Sequence, residues 1–197
     1  MGPRLILIRH GLTAWNQTGR AQGRADVPLS DEGRARLAGA RLAPDLWPDQ
    51  WWSSPLARAR QTAALIGARD VRLDDRLIEM DFGRWEGKTY AEVKAETGPG
   101  LAANEAWGLD MQPPGGESPR QVRARLASWL AEITGRAGGH AAVTHKGVIR
   151  AALSLALDWD MTTAPPVTLD WTAGHGFDLD ATGRPTLVRP NIVLLGP

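Results

Sequence analysis

The chain has 197 residues, 43% of them apolar and 23% charged, with Lys+Arg 23 against Asp+Glu 22 and no cysteine. That balance suits one globular domain with a substantial core, and it excludes a disordered chain, disulfides, thiol catalysis and thiolate metal sites. A formal net charge of +1 supplies no general basic field for nucleic acid or a membrane surface, so any anion must be held by local arginines. No apolar run approaches a membrane span, and no signal-peptide pattern precedes the first strand. A soluble cytoplasmic protein is expected, with no nucleic-acid or membrane partner; oligomeric state is open, with a homodimer as the candidate assembly.

The first strand is Leu5-Ile6-Leu7-Ile8, an unbroken apolar run that reads as buried on both faces. Arg9 and His10 follow at once, then Gly11, which frees the backbone to turn. In an open α/β sheet, ligands bind beyond the carboxyl ends of the strands, which is where this pair falls. Ser30 has the look of an N-cap, with Asp31 and Glu32 in the first turn of a helix running to about Leu42. Gln50 to Ser53 reads as a short second strand. Ser54-Pro55 then reads as N-cap and first position of another helix, carrying Arg58 in its first turn and Thr62 one turn on, and ending near Gly67.

Val71 to Leu73 reads as an edge strand, and Leu77 to Gly87 as an irregular loop dense in carboxylates. A short helix is expected over Tyr90 to Glu96, then a Gly- and Pro-rich, partly ordered flap over about 98–117. Ser118-Pro119 opens an amphipathic helix with Val122, Leu126, Trp129, Leu130 and Ile133 on one stripe, stopped at Gly135. His140 to Thr144 is a second buried strand, followed by His145, Gly147 and an apolar helix through Leu157. Three strand-like runs close the chain, at Val167–Asp170, Gly176–Leu179 and Thr186–Leu194. Alternating strands and helices followed by clustered strands predict an α/β fold: a mostly parallel sheet, covered by helices on both sides, with an antiparallel addition. No internal repeat or linker divides residues 1–197.

His10 and His145 each follow a buried strand, and Arg58 opens the helix after another. The spacing predicts that all converge at one sheet edge, where two arginines and two imidazoles suit a phosphoryl group. A neutral imidazole has a free lone pair and needs no base to activate it. Flanking arginines disfavour its protonated form and stabilise charge spreading over the equatorial oxygens of a transferring phosphoryl group. The helix after His145, at Gly147, adds backbone N–H donors. The arginines can do here what metal ions do elsewhere, so neither metal nor cofactor is expected. Glu79, Asp81 and Glu86 compete for the role of proton donor, and loop spacing does not choose between them. Trp15, Trp85 and Trp107 fall in loop-like stretches where they could wall a pocket, and Met111 joins Trp107 as a flap candidate for specificity. His140 and His175 read as structural or surface residues.

Six pieces, in order, resemble the histidine phosphatase superfamily, the branch that also holds the cofactor-dependent phosphoglycerate mutases. They are Arg9-His10-Gly11-Leu12-Thr13-Ala14-Trp15-Asn16; Gln22-Gly23 with Asp26, Pro28 and Leu29; Ser54 to Ala63; Glu79 with Gly83 and Trp85-Glu86-Gly87; Gly115 to Ser118; and Val143 to Gly147. The resemblance implies a three-layer α/β/α sandwich. It makes His10 the nucleophile, Arg9, Arg58 and His145 the oxygen ligands, Glu79 the proton donor, and Asn16, Gln22 and Gly147 weaker contacts. Two positions depart from it. Leu12 stands where Glu is common, and Lys146 where a small residue is common; Lys146 is expected as a solvated helix-start lysine, with a preference for a more anionic substrate as the alternative.

The implied activity is phosphomonoester hydrolysis of a small metabolite, with a further likeness to the α-ribazole phosphatases. The alternatives are a mutase-type phosphotransferase, against which the short flap speaks, and a catalytically idle binder of phosphorylated ligands. Gly83 to Thr89 looks like a P-loop but is one residue short and follows no buried strand. Neither a Gly-x-Ser-x-Gly elbow nor a Gly-x-Gly-x-x-Gly loop after a strand is present.

Overall fold

The computed structural model describes residues 5–196. Six strands form one sheet: β1 (Leu5–Arg9), β2 (Gln50–Ser53), β3 (Arg72–Leu73), β4 (His140–Thr144), β5 (Gly174–Leu179) and β6 (Pro185–Ile192). Their order is β3-β2-β4-β1-β5-β6. The first four are mutually parallel, while β5 and β6 add antiparallel strands beside β1. Seven α-helices accompany them: α1 (Ala14–Gln17), α2 (Asp31–Leu37), α3 (Ala57–Leu65), α4 (Tyr90–Thr97), α5 (Gly100–Glu105), α6 (Pro119–Thr134) and α7 (Lys146–Leu157).

The two faces of β1 explain its unbroken apolar run. Leu5 and Leu7 enter a core with Val122, Leu126 and Trp129 of α6 and Val148, Ile149 and Ala152 of α7. Ile6 and Ile8 point the other way, into a core with Ala59 and Ala63 of α3. Alternate side chains of a strand face opposite sides of the sheet, so a strand covered on both sides must be apolar throughout. The result is three layers, helix on sheet on helix.

Ser30 caps α2, its hydroxyl accepting from Gly33 N–H at 3.1 Å. The helix stops at Leu37, five residues short of the expected Leu42, because Gly39 turns the chain at φ +78°. Ala40 and Leu42 still reach the core, as extended chain, and Arg41 pairs with Leu195 through two backbone hydrogen bonds of 2.8 and 2.7 Å. Ser54 is not the expected N-cap of α3. That position belongs to Leu56, and Ser54 is used elsewhere, as shown below. The run Val167–Asp170 is not a strand. Pro165 and Pro166 precede it, the Asp170 carboxylate turns the chain back by accepting from Thr172 N–H (2.8 Å), and the Asn191 side chain satisfies Asp170 N–H (2.7 Å) and Thr168 carbonyl (3.2 Å). The 98–117 flap holds α5 and a 3-10 turn at Gly108–Asp110, and is more regular than its Gly and Pro content suggests. It is tied to the loop after α7 by a 2.9 Å bond from Leu109 N–H to Asp160 carbonyl.

Helix α2 also fixes the loop that leaves β1. Leu12 carbonyl accepts from Ser30 N–H at 2.9 Å, and a Cβ added to buried Gly33 would collide with that same carbonyl. Gly33→Ala is therefore expected to push the Gly11–Leu12 segment away from the helix, destabilising the fold by about 1–3 kcal/mol as an overpacked site. Urea unfolding checks this; an unchanged midpoint would show that the loop yields freely.

Candidate active site

The parallel register puts three strand ends side by side. Arg9 pairs with Thr144, and Ser53 with Val143. The ladder runs one residue further on each side: His10 N–H donates to Thr144 carbonyl (3.0 Å) and Ser54 N–H to Val143 carbonyl (2.9 Å). His10, His145 and Ser54 thus leave the ends of β1, β4 and β2 together. The two imidazole rings lie with centroids 5.1 Å apart. A cavity of about 570 Å³ opens over this edge, lined by Arg9, His10, Asn16, Gln22, Arg58, Glu79 and Gly147 among others. His145 is fully buried behind it.

His10 has its tautomer fixed by one bond. Its Nδ1 lies 2.7 Å from Gly11 carbonyl oxygen, which can only accept, so Nδ1 carries the hydrogen and Nε2 keeps the lone pair. Burial, then the charges of Arg58 and Arg9, push its pKa down to about 3. His145 is likewise held well below the ordinary histidine range, chiefly by burial and next by His10. Its Nε2 is 2.8 Å from Ser54 Oγ, while its Nδ1 has no hydrogen-bond partner. Ser54 Oγ also accepts from Leu56 N–H at 3.3 Å and keeps both a lone pair and a proton for Nε2. With the hydroxyl as donor, a neutral His145 carries its hydrogen on Nδ1 as an unspent donor.

Arg58 is fully buried at the start of α3 and is gripped from one side. Its two terminal nitrogens donate to Ala25 and Gly23 carbonyls at 2.7 Å each. That loop is held in turn by the Glu86 carboxylate, which accepts from Arg24 N–H (2.6 Å) and Ala25 N–H (3.0 Å). Glu86 occupies the space a Cβ on Gly23 would need, and Gly23 sits at φ +51°. Asp26 accepts from Ala57 N–H, the first residue of α3, at 2.6 Å. Thr62 links this helix to the nucleophile loop, accepting from Gly11 N–H (3.0 Å) and donating to Arg58 carbonyl (2.7 Å). Arg9 Nε and Arg58 Nε are buried with no hydrogen-bond partner.

The geometry separates the three carboxylates that the sequence left in competition. Glu86 is spent on the Arg24–Ala25 backbone, as above. Asp81 accepts from Gly83 N–H at 2.8 Å and faces Arg24 at 3.8 Å. Glu79 alone of the three lines the cavity, carried there by a bond from buried Thr144 Oγ1 to Leu77 carbonyl (2.7 Å). Its Oε1 accepts from Met80 N–H (2.8 Å) and Gly147 N–H (3.1 Å). Burial raises its pKa above the ordinary carboxylate range, against the pull of those two N–H groups. Gly147 lines the cavity and gives its N–H to Glu79, and a Cβ there would collide with Glu79 Oε1.

Thr13 orients the two amides. Asn16 Oδ1 accepts from Thr13 N–H at 3.1 Å, and Gln22 Oε1 lies 2.9 Å from Thr13 hydroxyl, so each side chain has its NH₂ end left to donate. Trp85 and Met111 line the cavity as expected; Trp107 does not, being 64% exposed, and Trp15 instead packs against Gly87. His140 and His175 are buried structural residues, bonded to Trp52 Nε1 and Asn191 N–H at 3.3 Å each. Lys146 is exposed at the start of α7, as expected, and its ammonium also lies over the Trp171 ring at 5.1 Å and lines the cavity. Arg150, one turn further along α7, lines it as well and was not singled out by the sequence, although the i, i+4 spacing was visible. Among the described residues, no three His, Asp or Glu side chains gather into a metal-binding cluster, and no helix is long and apolar enough to cross a membrane.

A native His10 titrating near 3 has a stability consequence. Below its unfolded value of 6.5 the unfolded chain takes up a proton that the native site refuses. Stability from this group is complete above pH 6.5 and is lost progressively as pH falls toward 3, by up to about 1.4 kcal/mol per pH unit. His10→Gln is expected to shallow the fall in urea midpoint between pH 6 and about 4. An unchanged slope would mean that His10 is protonated in the native state.

Comparison with known proteins agrees with this geometry. A sequence model described as "Histidine phosphatase superfamily (branch 1)" matches residues 5–192. A glucosyl-3-phosphoglycerate phosphatase of Mycobacterium tuberculosis is 39% identical over 170 residues, covering 78% of this chain and 74% of its own. The solved structure of a mycobacterial glucosyl-3-phosphoglycerate phosphatase complexed with VO₃ superposes with a TM-score of 0.80 at 29% identity, over 96% of this chain and 98% of that one. A putative α-ribazole-5'-P phosphatase from Escherichia coli gives a TM-score of 0.81 at 25% identity, over 97% of each chain. With its sheet order, its paired histidines and these matches, the chain belongs to the histidine phosphatase superfamily.

Proposed function

We propose that the protein hydrolyses a small phosphomonoester through a phosphohistidine on His10. The observation that carries this reading is the 2.7 Å bond from His10 Nδ1 to Gly11 carbonyl, which leaves a neutral Nε2 lone pair in a cavity with two arginines. In the first step Nε2 attacks phosphorus and the ester P–O bond breaks. Glu79 gives its proton to the departing oxygen. In the second, water attacks phosphorus, Glu79 takes a proton back, and the N–P bond breaks. Arg9, Arg58 and the Nδ1–H of His145 hold the equatorial oxygens, where charge spreads in the transition state. Asn16 and Gln22 supply neutral donors at the rim. Oε1 of Glu79 holds two backbone N–H groups, so Oε2 is the freer oxygen and the one to carry the proton.

The raised pKa of Glu79 suits a proton donor, since it keeps the acid form to a higher pH than an exposed carboxylate would. The same reading takes the chain as one catalytic domain working in the cytoplasm without metal or cofactor, with the 98–117 segment forming part of the cavity wall. α-Ribazole 5'-phosphate and glucosyl-3-phosphoglycerate are the first substrates to assay, by likeness to the relatives above.

Three experiments test it. Acid-stable labelling excludes phosphohistidine, so a rapid alkaline quench with ³²P-labelled substrate is expected to trap label on the wild type and none on His10→Ala; label retained by that variant would move the nucleophile elsewhere. EDTA is expected to leave turnover of p-nitrophenyl phosphate unchanged. Glu79→Gln is expected to cut kcat/KM about 10²–10⁴-fold on alkyl phosphates and much less on p-nitrophenyl phosphate, whose leaving group needs little protonation. In the wild type, kcat for an alkyl phosphate falls as pH rises through the raised Glu79 pKa. Equal losses on both substrates would remove Glu79 from the acid role, and transfer of label to an added phosphoglycerate in preference to water would indicate a mutase.

A further inference from the structure

The cations around the cavity fall into three pairs, and only two of those pairs are accounted for. Arg9 and Arg58 lie with His10 and answer the two charges of a phosphomonoester. Arg20 and Lys88 are neutralised locally, Arg20 by Glu92 at 3.3 Å and Lys88 by Glu96. Lys146 and Arg150 are left. Neither forms an ion pair among the described residues; each lies over an indole ring, Lys146 over Trp171 and Arg150 over Trp159, at 5.1 Å. They project from one face of α7 a single turn apart, and like charges at that spacing repel. Lys146 is exposed at the cavity mouth and Arg150 is partly buried, and both have pKa values held below the ordinary range.

Two adjacent like charges with no ion pair among the described residues repel each other unless something anionic arrives between them. No carboxylate lining the same cavity is bonded to either cation, and Glu79 acts on them only through space. Glu79 is held by Met80 and Gly147 N–H, and Glu105 by the Tyr90 hydroxyl at 3.1 Å. Met111, Leu101 and Phe82 add an apolar stretch of wall but no charge.

We propose that Lys146 and Arg150 form a second anion subsite, and that the substrate carries a carboxylate or second phosphate in addition to the phosphoryl group transferred at His10. The proposal rests on the phosphatase reading above and narrows its substrate class. The indoles of Trp171 and Trp159 serve as platforms that keep the two cations extended along the wall rather than collapsed onto a carboxylate.

The test pairs esters that differ in one group. D-3-phosphoglycerate and glycerol 3-phosphate share a three-carbon frame but differ by a carboxylate; 1,3-propanediol bisphosphate and 3-hydroxypropyl phosphate differ by a phosphate. The wild type is expected to favour the doubly anionic member of at least one pair by about tenfold or more in kcat/KM, mostly through KM, and the pair that shows it tells which anion the subsite takes. Lys146→Gln and Arg150→Gln are each expected to lower that ratio about three- to tenfold, the double variant to bring it near one, and Lys146→Glu to reverse it; Arg150→Lys restores part. Should Arg150→Gln loosen Trp159 and melt early, the two Lys146 variants decide alone. Ratios near one in the wild type, or ratios the variants leave unchanged, overturn the subsite. Failure to turn over p-nitrophenyl phosphate overturns the phosphatase reading instead. In that case calorimetric binding of the same ester pairs to wild type and Lys146→Gln still decides the subsite, by whether the tenfold preference is present and then lost.

Discussion

The register of three parallel strands is the constraint on which the rest depends. Backbone bonds from His10 to Thr144 and from Ser54 to Val143 extend the ladder one residue past the strands, so that the side chains leaving β1, β4 and β2 start from a common line. Backbone ladders at these positions are buried under both helical layers and have no competing partner. Their rigidity is passed to the side chains. Thr144 carries Leu77, and with it Glu79, by the same strand end that delivers His145. A one-residue slip of β1 against β4 would turn His10 to the opposite face of the sheet and dismantle the site at once.

Around that line the electrostatics oppose the fold and favour the chemistry. Arg58 is fully buried yet makes no direct ion pair; it is held by the Gly23 and Ala25 carbonyls, which satisfy its donors without cancelling its charge. Carboxylates act at one remove: Glu86 fixes the loop that supplies those carbonyls, and Asp26 fixes the end of α3. A direct Arg–carboxylate pair would present less charge to a phosphoryl oxygen. The two histidines follow the same logic. Cations and burial keep both rings neutral, which costs stability in acid but leaves one ring a lone pair and the other an N–H.

What the sequence could and could not show follows from which forces act locally. The strand β1, the helix starts at Ser30 and Ser118, and the stripe from Val122 to Ile133 were legible because burial on two faces, capping and amphipathic periodicity are written in consecutive residues. The convergence of His10, Arg58 and His145 was legible because each sits at the end of such an element. Three readings missed where a distant partner reinforced or replaced the local signal. Ala40 and Leu42 prolong the apolar pattern of α2, but Leu195 takes the backbone of Arg41 into extended pairing. Ser54 has the composition of a cap, but His145 claims its hydroxyl. Val167 to Asp170 has strand composition, but the Asn191 side chain replaces the strand that would have paired with it. The tautomer of His10 and the separation of Glu79 from Asp81 and Glu86 depend on loop directions that no spacing encodes.

The cavity is accordingly built from two kinds of structure. Its chemical end belongs to the sheet, where Arg9, His10 and Glu79 are set by ladder bonds and by the packed start of α7. Its outer walls belong to α4, α5 and the loop after α7, which reach the site through a few contacts such as Leu109 N–H to Asp160 carbonyl. Helix α7 is the element common to both. Its first turn carries Gly147, which must lack a side chain so that Glu79 can sit against it, and Lys146, which lines the same cavity. The proton donor is held by Gly147 and a cavity cation is carried by its neighbour Lys146, at the start of one helix. An anionic group drawn toward Lys146 and Arg150 would be referred directly to the geometry at Glu79, so that binding at the outer end aligns the leaving group with its acid without any movement of the wall.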